Sequence, residues 1–413
     1  MVFEFKVRSI SKPEVRNLYK KYAKLFKRKD KPIEVVCALF LEIIYNYFDN
    51  DNEKLYKLFF PPIMANFIEK GSVHSVVKEH RETKNLYSWS YTYRILNTLD
   101  HDTGLELSRV YRKIMFKILK KIGFANKGYS VAIDITAKPF YGNKNLLMVK
   151  GCKRKASTNY AIQYLTASII EEGVRFNLLC FPINSLDLVH RKVEALVKEV
   201  KKMVPVKLLF LDKAFANKKY SRLLKLLKHK FIMPITKNKK LKELALCMKS
   251  QSNRKQDEYA IAATDYIFSE DRPKEYQVKV NLIILYDEEE PVFFITNIYK
   301  LSLQDYYDLT QAYRYRFGIE TGYRVDNQFS PFTCSIKASL RYLLMQISLI
   351  AQDLWTLVNF LIHKEDKKQP REKFKGNYSV IDIVKARIKD LGFVWRPIIT
   401  AVSFKRRIAN IFP

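Results

Sequence analysis

The chain has 413 residues, which is too many for one ordinary compact core, so two or three structural units are expected. Its 48% hydrophobic and 14% aromatic residues, with only 11 glycines, exclude a disordered chain. The 74 basic and 42 acidic residues give a formal net charge of +32, which indicates a polyanionic partner. Nucleic acid is favoured over an anionic membrane as that partner.

Five cysteines are scattered along the chain without any Cys-x-x-Cys pair, and the six histidines do not cluster with them. A zinc site or a disulfide framework is therefore not expected, and the pattern is typical of an intracellular protein. The first residues, MVFEFK, lack the basic-then-apolar order of a signal peptide. We therefore expect a cytoplasmic protein that associates with the nucleoid.

Apolar residues recur at helical spacing from residue 12 to about residue 121, so residues 1–120 are predicted to form an all-helical domain. Within it, residues 72–80 and 88–99 form two short helix patterns separated by a polar turn, with Ser88 placed as an N-cap. One interpretation is a helix-turn-helix whose second helix enters a DNA major groove. The other is a generic helical hairpin, and the sequence leaves both open.

The pattern changes to an α/β order after residue 121. The predicted strands are at 129–136, 161–170, 174–183, 207–212 and 231–235, and the predicted helices are at 186–203 and 217–229. The first links between strands are hairpins, whereas the later links are helical crossovers. The predicted fold class is therefore α/β, with a mixed sheet flanked by helices.

A lysine-rich stretch and three β-like runs follow, at 259–268, 276–286 and 291–296. Residues 257–290 carry 10 acidic and 3 basic side chains, unlike the rest of the chain. This distinct charge and strand pattern predicts a β-rich insertion over residues 236–302.

Helical spacing returns at 303–329 and at 340–363, a charged linker covers 364–376, and a last helix is predicted at 380–391. The apolar run at 340–362 is long enough to cross a bilayer, but Gln346, Gln352 and Asp353 interrupt it. Polar residues at the centre of a membrane are costly. We therefore predict a buried helix rather than a membrane span.

Two aspartates follow runs of apolar residues that are typical of buried strands. Asp134 stands in Val-Ala-Ile-Asp-Ile-Thr, and Asp212 stands in Leu-Leu-Phe-Leu-Asp-Lys. A carboxylate in such a position emerges at the carboxyl edge of the sheet, where open α/β sheets place their active sites. Either aspartate alone would be explained as the cap of a turn. Because the two strands are expected to be neighbours, we favour a shared site.

Carboxylates that are brought together repel one another, and burial raises their pKa unless a cation joins them. The candidate ligands are hard oxygens with no His or Cys nearby in sequence, which favours Mg²⁺, or Mn²⁺, over zinc. Two such ions per site can activate the attacking oxygen and stabilise the leaving oxygen of a phosphoryl displacement. A third carboxylate is then expected on a later helix.

The segment Tyr313-Arg-Tyr-Arg-Phe-Gly-Ile-Glu320 supplies the candidate third carboxylate. Tyr313, Arg316 and Glu320 are spaced at i, i+3 and i+7, so a helix presents all three on one face. The alternative is an ordinary surface salt bridge between Arg316 and Glu320. That alternative does not explain the crowding of tyrosine and arginine on this helix.

With these motifs, residues 125–360 resemble the DDE transposases of bacterial and archaeal insertion sequences, in the group with a β-rich insertion before the glutamate. The motifs that carry the resemblance are Ile133-Asp134-Ile-Thr136, Leu211-Asp212-Lys-Ala-Phe215, Phe293-Phe-Ile-Thr296-Asn297 and Tyr313-x2-Arg316-x3-Glu320. The last motif is the specific one. The family continues with a lysine seven residues after the glutamate, where this sequence has Asn327, and Arg324 or Lys337 can supply that phosphate contact instead.

The resemblance implies an RNase H-like catalytic domain built from residues 121–235 and 303–413. It further implies that Asp134, Asp212 and Glu320 bind two Mg²⁺ ions. Tyr313 and Arg316 would contact DNA near the cleaved phosphate, and Lys138 and Lys213 are further candidate DNA contacts. The implied function is cleavage at transposon ends followed by strand transfer into target DNA, by a homodimer assembled on double-stranded DNA.

Two other functions stay open at this level. One is an RNase H-like nuclease, or a domesticated transposase, that cuts DNA without transferring strands, because the metal site is common to all of these enzymes. The other is a non-catalytic DNA-binding protein that has kept the fold. The three carboxylates argue against the second function, because they serve no phosphate-binding purpose without metal.

Overall fold

The chain divides into two compact units. The first contains Met1–Asn126 and Gly322–Pro413, and the second contains Lys127–Thr321. The structure is a computed structural model, and it describes residues 52–65, 71–121, 128–171, 174–216, 229–251, 261–268, 270, 273–275, 277–286, 290–317 and 329–365. The helix predicted at 380–391, and all but the last residue of the one predicted at 217–229, lie outside these ranges.

The described residues form eight α-helices and nine strands. The helices are α1 (Asn52–Ala65), α2 (Val73–Lys84), α3 (Trp89–Leu96), α4 (His101–Lys121), α5 (Val189–Met203), α6 (Lys239–Gln251), α7 (Leu303–Arg314) and α8 (Ala338–Glu365). The strands are β1 (Tyr129–Pro139), β2 (Val149–Lys155), β3 (Thr158–Glu171), β4 (Val174–Ile183), β5 (Val206–Leu211), β6 (Phe231–Pro234), β7 (Ile261–Phe268), β8 (Val278–Leu285) and β9 (Val292–Thr296). The α/β class predicted from the sequence is confirmed.

The first unit is helical in its described part, and it contains the two short helices predicted between residues 72 and 99. The Ser72 hydroxyl accepts a hydrogen bond from the Ser75 backbone N–H at 3.0 Å, and the Ser75 hydroxyl accepts one from the Ser72 N–H at 2.8 Å. This capping box starts α2. The Ser88 hydroxyl accepts a hydrogen bond from the Tyr91 N–H at 3.3 Å, so the predicted N-cap of α3 is confirmed.

Helix α8 contains the apolar run at 340–362 and packs against α4 in the first unit. Gln346, Gln352 and Asp353, the polar residues that interrupt the run, are all buried there. Within the described ranges, no helix combines the length and the hydropathy that a membrane crossing requires. The predicted buried helix is therefore confirmed for the side chains that the structure describes, from Leu340 to Leu354.

The second unit is built on one mixed sheet with the strand order β2-β3-β1-β5-β6-β9-β8-β7, in which β4 also pairs with β3. Strand β1 is antiparallel to β3 and parallel to β5, and β5 is parallel to β6. The mixed sheet predicted from the hairpin and crossover links is therefore confirmed. The apolar face of α5 covers β3 and β4 with the buried residues Val193, Leu196, Val197 and Val200.

The strands predicted as a β-rich insertion extend this same sheet. Strand β9 pairs antiparallel with β6, and β8 and β7 follow outward from it. An exposed edge strand presents unpaired N–H and C=O groups, and β9 supplies partners for those of β6. The functional division into residues 1–120, 121–235 with 303–413, and 236–302 stays a prediction.

Two elements were missed in the sequence. Strand β2 (VKGCKRK) lacks the alternation of a half-buried strand, because four of its seven residues are basic. Helix α6 lies in the lysine-rich stretch, where charge obscures the helical spacing. In addition, α7 ends at Arg314 and a 3₁₀ turn follows at Tyr315–Phe317, whereas the helical spacing predicted a helix through residue 329. Residues 318–328 lie outside the described ranges.

Candidate active site

The register between β1 and β5 places Asp134 and Asp212 side by side. The two parallel strands pair up to Ile133 and Leu211, and each aspartate is the residue that follows this last pair. Asp212 follows the end of β5, as predicted. Strand β1 instead continues past Asp134 to Pro139, where it pairs with β3. Asp134 therefore directly follows the part of β1 that pairs with β5, and the prediction that it ends the strand is wrong.

Each aspartate uses one carboxylate oxygen to hold the local backbone. Asp134 Oδ1 accepts a hydrogen bond from the Ile135 N–H at 2.8 Å. Asp212 Oδ1 accepts one from the Ala214 N–H at 2.7 Å and caps the 3₁₀ turn Lys213–Phe215. Hydrogen bonds from backbone N–H groups stabilise the charged form of a carboxylate. The Oδ2 atom of each carboxylate is then directed to another partner.

That shared partner is Arg316, which follows α7 and is only 7% exposed. Its Nη2 lies 2.8 Å from Oδ2 of Asp212, and its Nη1 lies 3.9 Å from Oδ2 of Asp134. A planar guanidinium presents donors in a fixed fork, so one arginine can face two carboxylates at once. The two aspartates therefore converge on one cationic group.

Burial by itself lowers the pKa of the Arg316 guanidinium. The oxygen atoms around it, on Tyr313 and on the two aspartates, outweigh that effect, so the pKa is raised above its usual value. Arg316 is therefore a permanent positive charge between the two carboxylates, and it offsets the repulsion that their proximity creates.

Tyr313 fixes the end of α7 against the end of β5. Its hydroxyl donates a hydrogen bond to the backbone carbonyl of Leu211 at 3.0 Å, and its ring packs edge-on against Phe210 and Phe294. Arg316 lies 5.4 Å from the centre of the same ring. Burial raises the pKa of Tyr313 far above its usual value, so the phenol stays a neutral donor. Tyr313 thus positions the helix end that carries Arg316.

The other predicted site residues lie in different surroundings. Lys138 is half-buried on β1, four residues after Asp134 and therefore on the same face of the sheet. Lys213 is exposed and directly follows Asp212. Lys337 is exposed in the first unit, just before α8. Glu320 and Arg324 lie outside the described residues, so their predicted roles stay predictions.

Two features of the site were missed in the sequence. The interpretations of Arg316 considered Glu320 or a DNA phosphate as its partner, and the structure adds the two aspartates. Thr166 on β3 lies opposite Asp134, and its hydroxyl donates a hydrogen bond to the Asp134 backbone carbonyl at 3.3 Å. A polar residue inside the apolar run of β3 was the available signal. The DNA contacts predicted for Tyr313 and Arg316 stay predictions.

Among the described residues, no group of three or more His, Cys, Asp or Glu side chains is arranged to hold a metal ion. The pair of aspartates nevertheless fits a divalent cation in its chemistry. Both carboxylates turn their Oδ2 atoms toward one positive group, and carboxylate oxygens are the ligands that Mg²⁺ prefers. A third carboxylate would have to come from residues outside the described ranges.

Comparisons with known proteins give little further information. No family model matches the sequence, and no curated protein matches it. One solved structure that the chain resembles is the cryo-EM structure of a piggyBac transposase synaptic complex with hairpin DNA. That likeness has a TM-score of 0.43 at 14% sequence identity and covers 96% of this chain and 85% of the other. The function proposed below therefore rests on the residues of the site.

Proposed function

We propose that the chain is a DNA transposase of the DDE type. It would cleave DNA at transposon ends and transfer the strands into target DNA, with Asp134, Asp212 and Glu320 as its metal ligands. The observation that carries the proposal is the convergence of the two aspartates, from adjacent parallel strands, on Arg316. In α/β sheets, this carboxyl edge is where catalytic groups gather.

The donor set supports Mg²⁺ as the cofactor, with Mn²⁺ as a substitute and two ions per active site. When bound, such a pair supplies activation of the attacking oxygen and stabilisation of the leaving oxygen in a phosphoryl displacement. Asp134 and Asp212 would hold the ions through the Oδ2 atoms that now face Arg316. Glu320, four residues after Arg316, would complete the set.

The remaining residues of the site would bind and orient DNA. Arg316 is close enough to the two carboxylates that a phosphate held there would compete with them for its guanidinium, which bonds phosphate as a bidentate fork. Lys213 is exposed directly after Asp212, so its ammonium group would be a further phosphate contact. In cleavage, water would attack a phosphodiester at the transposon end and release its 3′-OH. In joining, that 3′-OH would attack a target phosphodiester and displace a target 3′-oxygen, so one site can serve both displacements.

The fold supports the proposal at a coarser level. The mixed sheet with two neighbouring parallel strands that carry the aspartates agrees with an RNase H-like catalytic domain. The net charge of +32 agrees with double-stranded DNA as the partner. We further propose that the chain acts as a homodimer assembled on transposon ends.

The proposal is tested with the purified chain, Mg²⁺ and duplex DNA taken from the flanks of its coding region. We expect nicking at a defined position and, with pre-cleaved ends, joining to a target plasmid. Glu320→Gln should lose both reactions and keep DNA binding, because affinity comes mainly from basic residues on phosphates. Cleavage without joining would assign the chain to the nucleases instead. Binding with neither reaction would refute the catalytic assignment.

A further inference from the structure

Beyond the aspartate pair, the second unit carries a β-hairpin made of β2, the two-residue turn 156–157 and the first residues of β3. We call this feature the basic hairpin (149–160). Strand β3 pairs with β1 around Asp134 and continues past Pro139 into the hairpin. The basic hairpin therefore extends from the sheet on the side of the aspartates, beyond the carboxyl end of β5.

All the charged residues of this region are basic. From residue 135 to residue 170 the sequence has six basic residues and no Asp or Glu. Four of the six are in β2, which has the sequence VKGCKRK. Charged side chains on an edge strand, lysine above all, protect against edge-to-edge aggregation. That protection concerns β2 alone and does not account for the absence of acidic residues over the whole of 135–170. A surface with basic residues alone is suited to bind a polyanion.

A bulge in β2 presents two of these basic side chains to solvent. The pairing of β2 with β3 shifts between Gly151 and Lys155, so residues 152–154 stand opposite one residue of β3. Lys153 and Arg154 are both exposed in this bulge. Bulges twist a strand locally and redirect its side chains, and they are frequent next to active sites.

The turn at the tip of the hairpin is held in an unusual conformation. Ala156 and Ser157 both have positive φ angles, 47° and 65°, which is the pattern of a tight type I′ turn. Glycine and asparagine are the residues that adopt it at low cost, whereas Ala and Ser are strained there. The Tyr141 hydroxyl donates a hydrogen bond to the Ala156 carbonyl at 2.7 Å and ties the turn to the segment after β1. The tip is therefore tied to the segment after β1 by this contact.

We propose that the basic hairpin binds the phosphate backbone of duplex DNA near the aspartate site, with Lys153 and Arg154 as the contacts. The inference rests on the proposed function, since it concerns the DNA that this site would cut. A two-stranded ribbon is narrow enough to lie in or along a DNA major groove. The contacts are to phosphates, so they position the duplex without reading its sequence.

The distance along β3 between the bulge and the aspartates determines which part of a bound duplex the hairpin would contact. The bulge faces Asn159, seven residues before Thr166, which is the residue paired with Asp134. At about 3.3 Å per residue, the basic side chains leave the sheet at most about 23 Å from the aspartates. That length corresponds to about seven base pairs of a duplex at 3.4 Å per step. The hairpin contacts should therefore fall on the duplex that flanks the aspartate site and contribute to DNA affinity.

The test compares two double variants of equal charge change for binding to duplex DNA over a range of salt, without divalent metal. Lys153→Ala with Arg154→Ala should lower the affinity about tenfold or more near 0.1 M salt and reduce the slope of log K against log salt by up to about 1.8. The matched control is Lys198→Ala with Lys202→Ala on α5, two exposed lysines that pair with Glu194 and Glu199. The control should keep the wild-type slope.

Three results would overturn the inference while leaving the proposed function intact. The first is a wild-type salt slope in the hairpin variant. The second is an equal loss in the control variant, which would make the effect one of overall charge. The third is a loss for duplex RNA with none for duplex DNA. By contrast, a wild-type chain that binds no duplex DNA would refute the proposed function itself.

Two further variants distinguish a loss of DNA contacts from a loss of the hairpin's fold. Lys153→Arg with Arg154→Lys keeps both charges in the bulge, so it should keep the wild-type salt slope and affinity within about threefold. Gly151→Ala adds a methyl group that meets no atom within 4 Å, so it should leave the hairpin and its binding intact. Loss of binding in both variants would show that the hairpin acts only through its fold, against the inference.

Discussion

Each unit of the protein buries an arginine against aspartate, and the two arrangements differ in their balance of charge. In the first unit, Arg112 is 1% exposed and lies 3.9 Å from Asp353, which is also buried. In the second unit, Arg316 lies between Asp134 and Asp212 at the edge of the sheet. One pair is balanced in the helical core, whereas the other joins two carboxylates to a single guanidinium.

The difference separates a structural ion pair from a site. A balanced pair in a core needs no further ion, and removing one partner leaves a buried charge uncompensated. Two carboxylates on one arginine leave an excess of negative charge, which favours an additional cation. The second arrangement is also partly open, since the side chains of Asp134 and Asp212 are 16% and 26% exposed. An ion or a phosphate can reach it.

The largest expected effect comes from variants that remove a carboxylate of the site and leave the Arg112–Asp353 pair unchanged. Asp134→Asn or Asp212→Asn should reduce DNA cleavage at least about a thousandfold, because losing a metal ligand removes several kcal/mol of transition-state stabilisation, at 1.36 kcal/mol per tenfold. DNA affinity should stay within about twofold, since phosphate contacts provide it. The measurement is single-turnover cleavage at saturating enzyme. Wild-type cleavage by the Asp212→Asn variant would place the site elsewhere.

The second-largest effect is expected from a variant that removes one partner of the Arg112–Asp353 pair. Asp353→Asn should lower the free energy of unfolding by about 3 kcal/mol, because it removes the buried carboxylate that faces the Arg112 guanidinium. Urea denaturation measures the change. The control is Glu106→Gln, which removes a partly exposed pair with Arg109 and should cost less than about 1 kcal/mol. Equal losses in the two variants would mean that Arg112 is compensated by other groups.

Features of both units that depend on local pattern could be predicted from the sequence. Asp134 and Asp212 could be placed together because each follows an apolar strand, and the strand order predicted neighbours. The buried polar residues of α8 were likewise expected, from the cost of placing Gln352 or Asp353 in a membrane. Both predictions needed only local pattern and the chemistry of burial.

The contacts that join distant segments could not be predicted. Arg316 meets Asp134 across more than 180 residues of sequence. Helical spacing offered Glu320, four residues away, only as the alternative to a DNA phosphate as its partner. Strand β2 was missed for a related reason, because its pairing with β3 outweighs a composition that is too basic for a typical strand. Contacts between distant segments determine both the partners of Arg316 and the formation of β2, and local periodicity gives no information about such contacts.

A third prediction changes the charge balance at the site. Arg316→Lys should fold and bind DNA but lose about tenfold to a hundredfold in cleavage rate, because an ammonium group cannot present the fork that faces both carboxylates. Cleavage of an end duplex over a range of salt measures it. Wild-type rates at all salt concentrations would show that any positive charge suffices there.

The same position offers an independent readout through metal binding. Arg316→Gln removes the positive charge between Asp134 and Asp212, so Mg²⁺ should raise the melting temperature of this variant more than that of the wild type, because a ligand that binds the folded state stabilises it. The arginine of the core provides the contrast, since Arg112→Gln should gain no Mg²⁺ response. No difference in the Mg²⁺ response between Arg316→Gln and wild type would argue against a cation site at the aspartates.

The smallest expected effect concerns Tyr313, which holds Arg316 in place by its hydrogen bond to Leu211. At neutral pH, Tyr313→Phe should cost about 1 kcal/mol of stability, the usual contribution of one hydrogen bond. Burial raises the pKa of Tyr313, so the folded protein keeps the phenol proton where the unfolded chain loses it, above about pH 10. The contribution of Tyr313 is therefore complete below that pH and falls by up to about 1.4 kcal/mol for each further pH unit. Phenylalanine has no proton to lose, so the stability gap between wild type and variant should narrow or reverse as the pH rises from about 9 to about 11. Urea denaturation across that range measures the gap, and a constant gap would mean that the phenol titrates alike in the folded and unfolded chains.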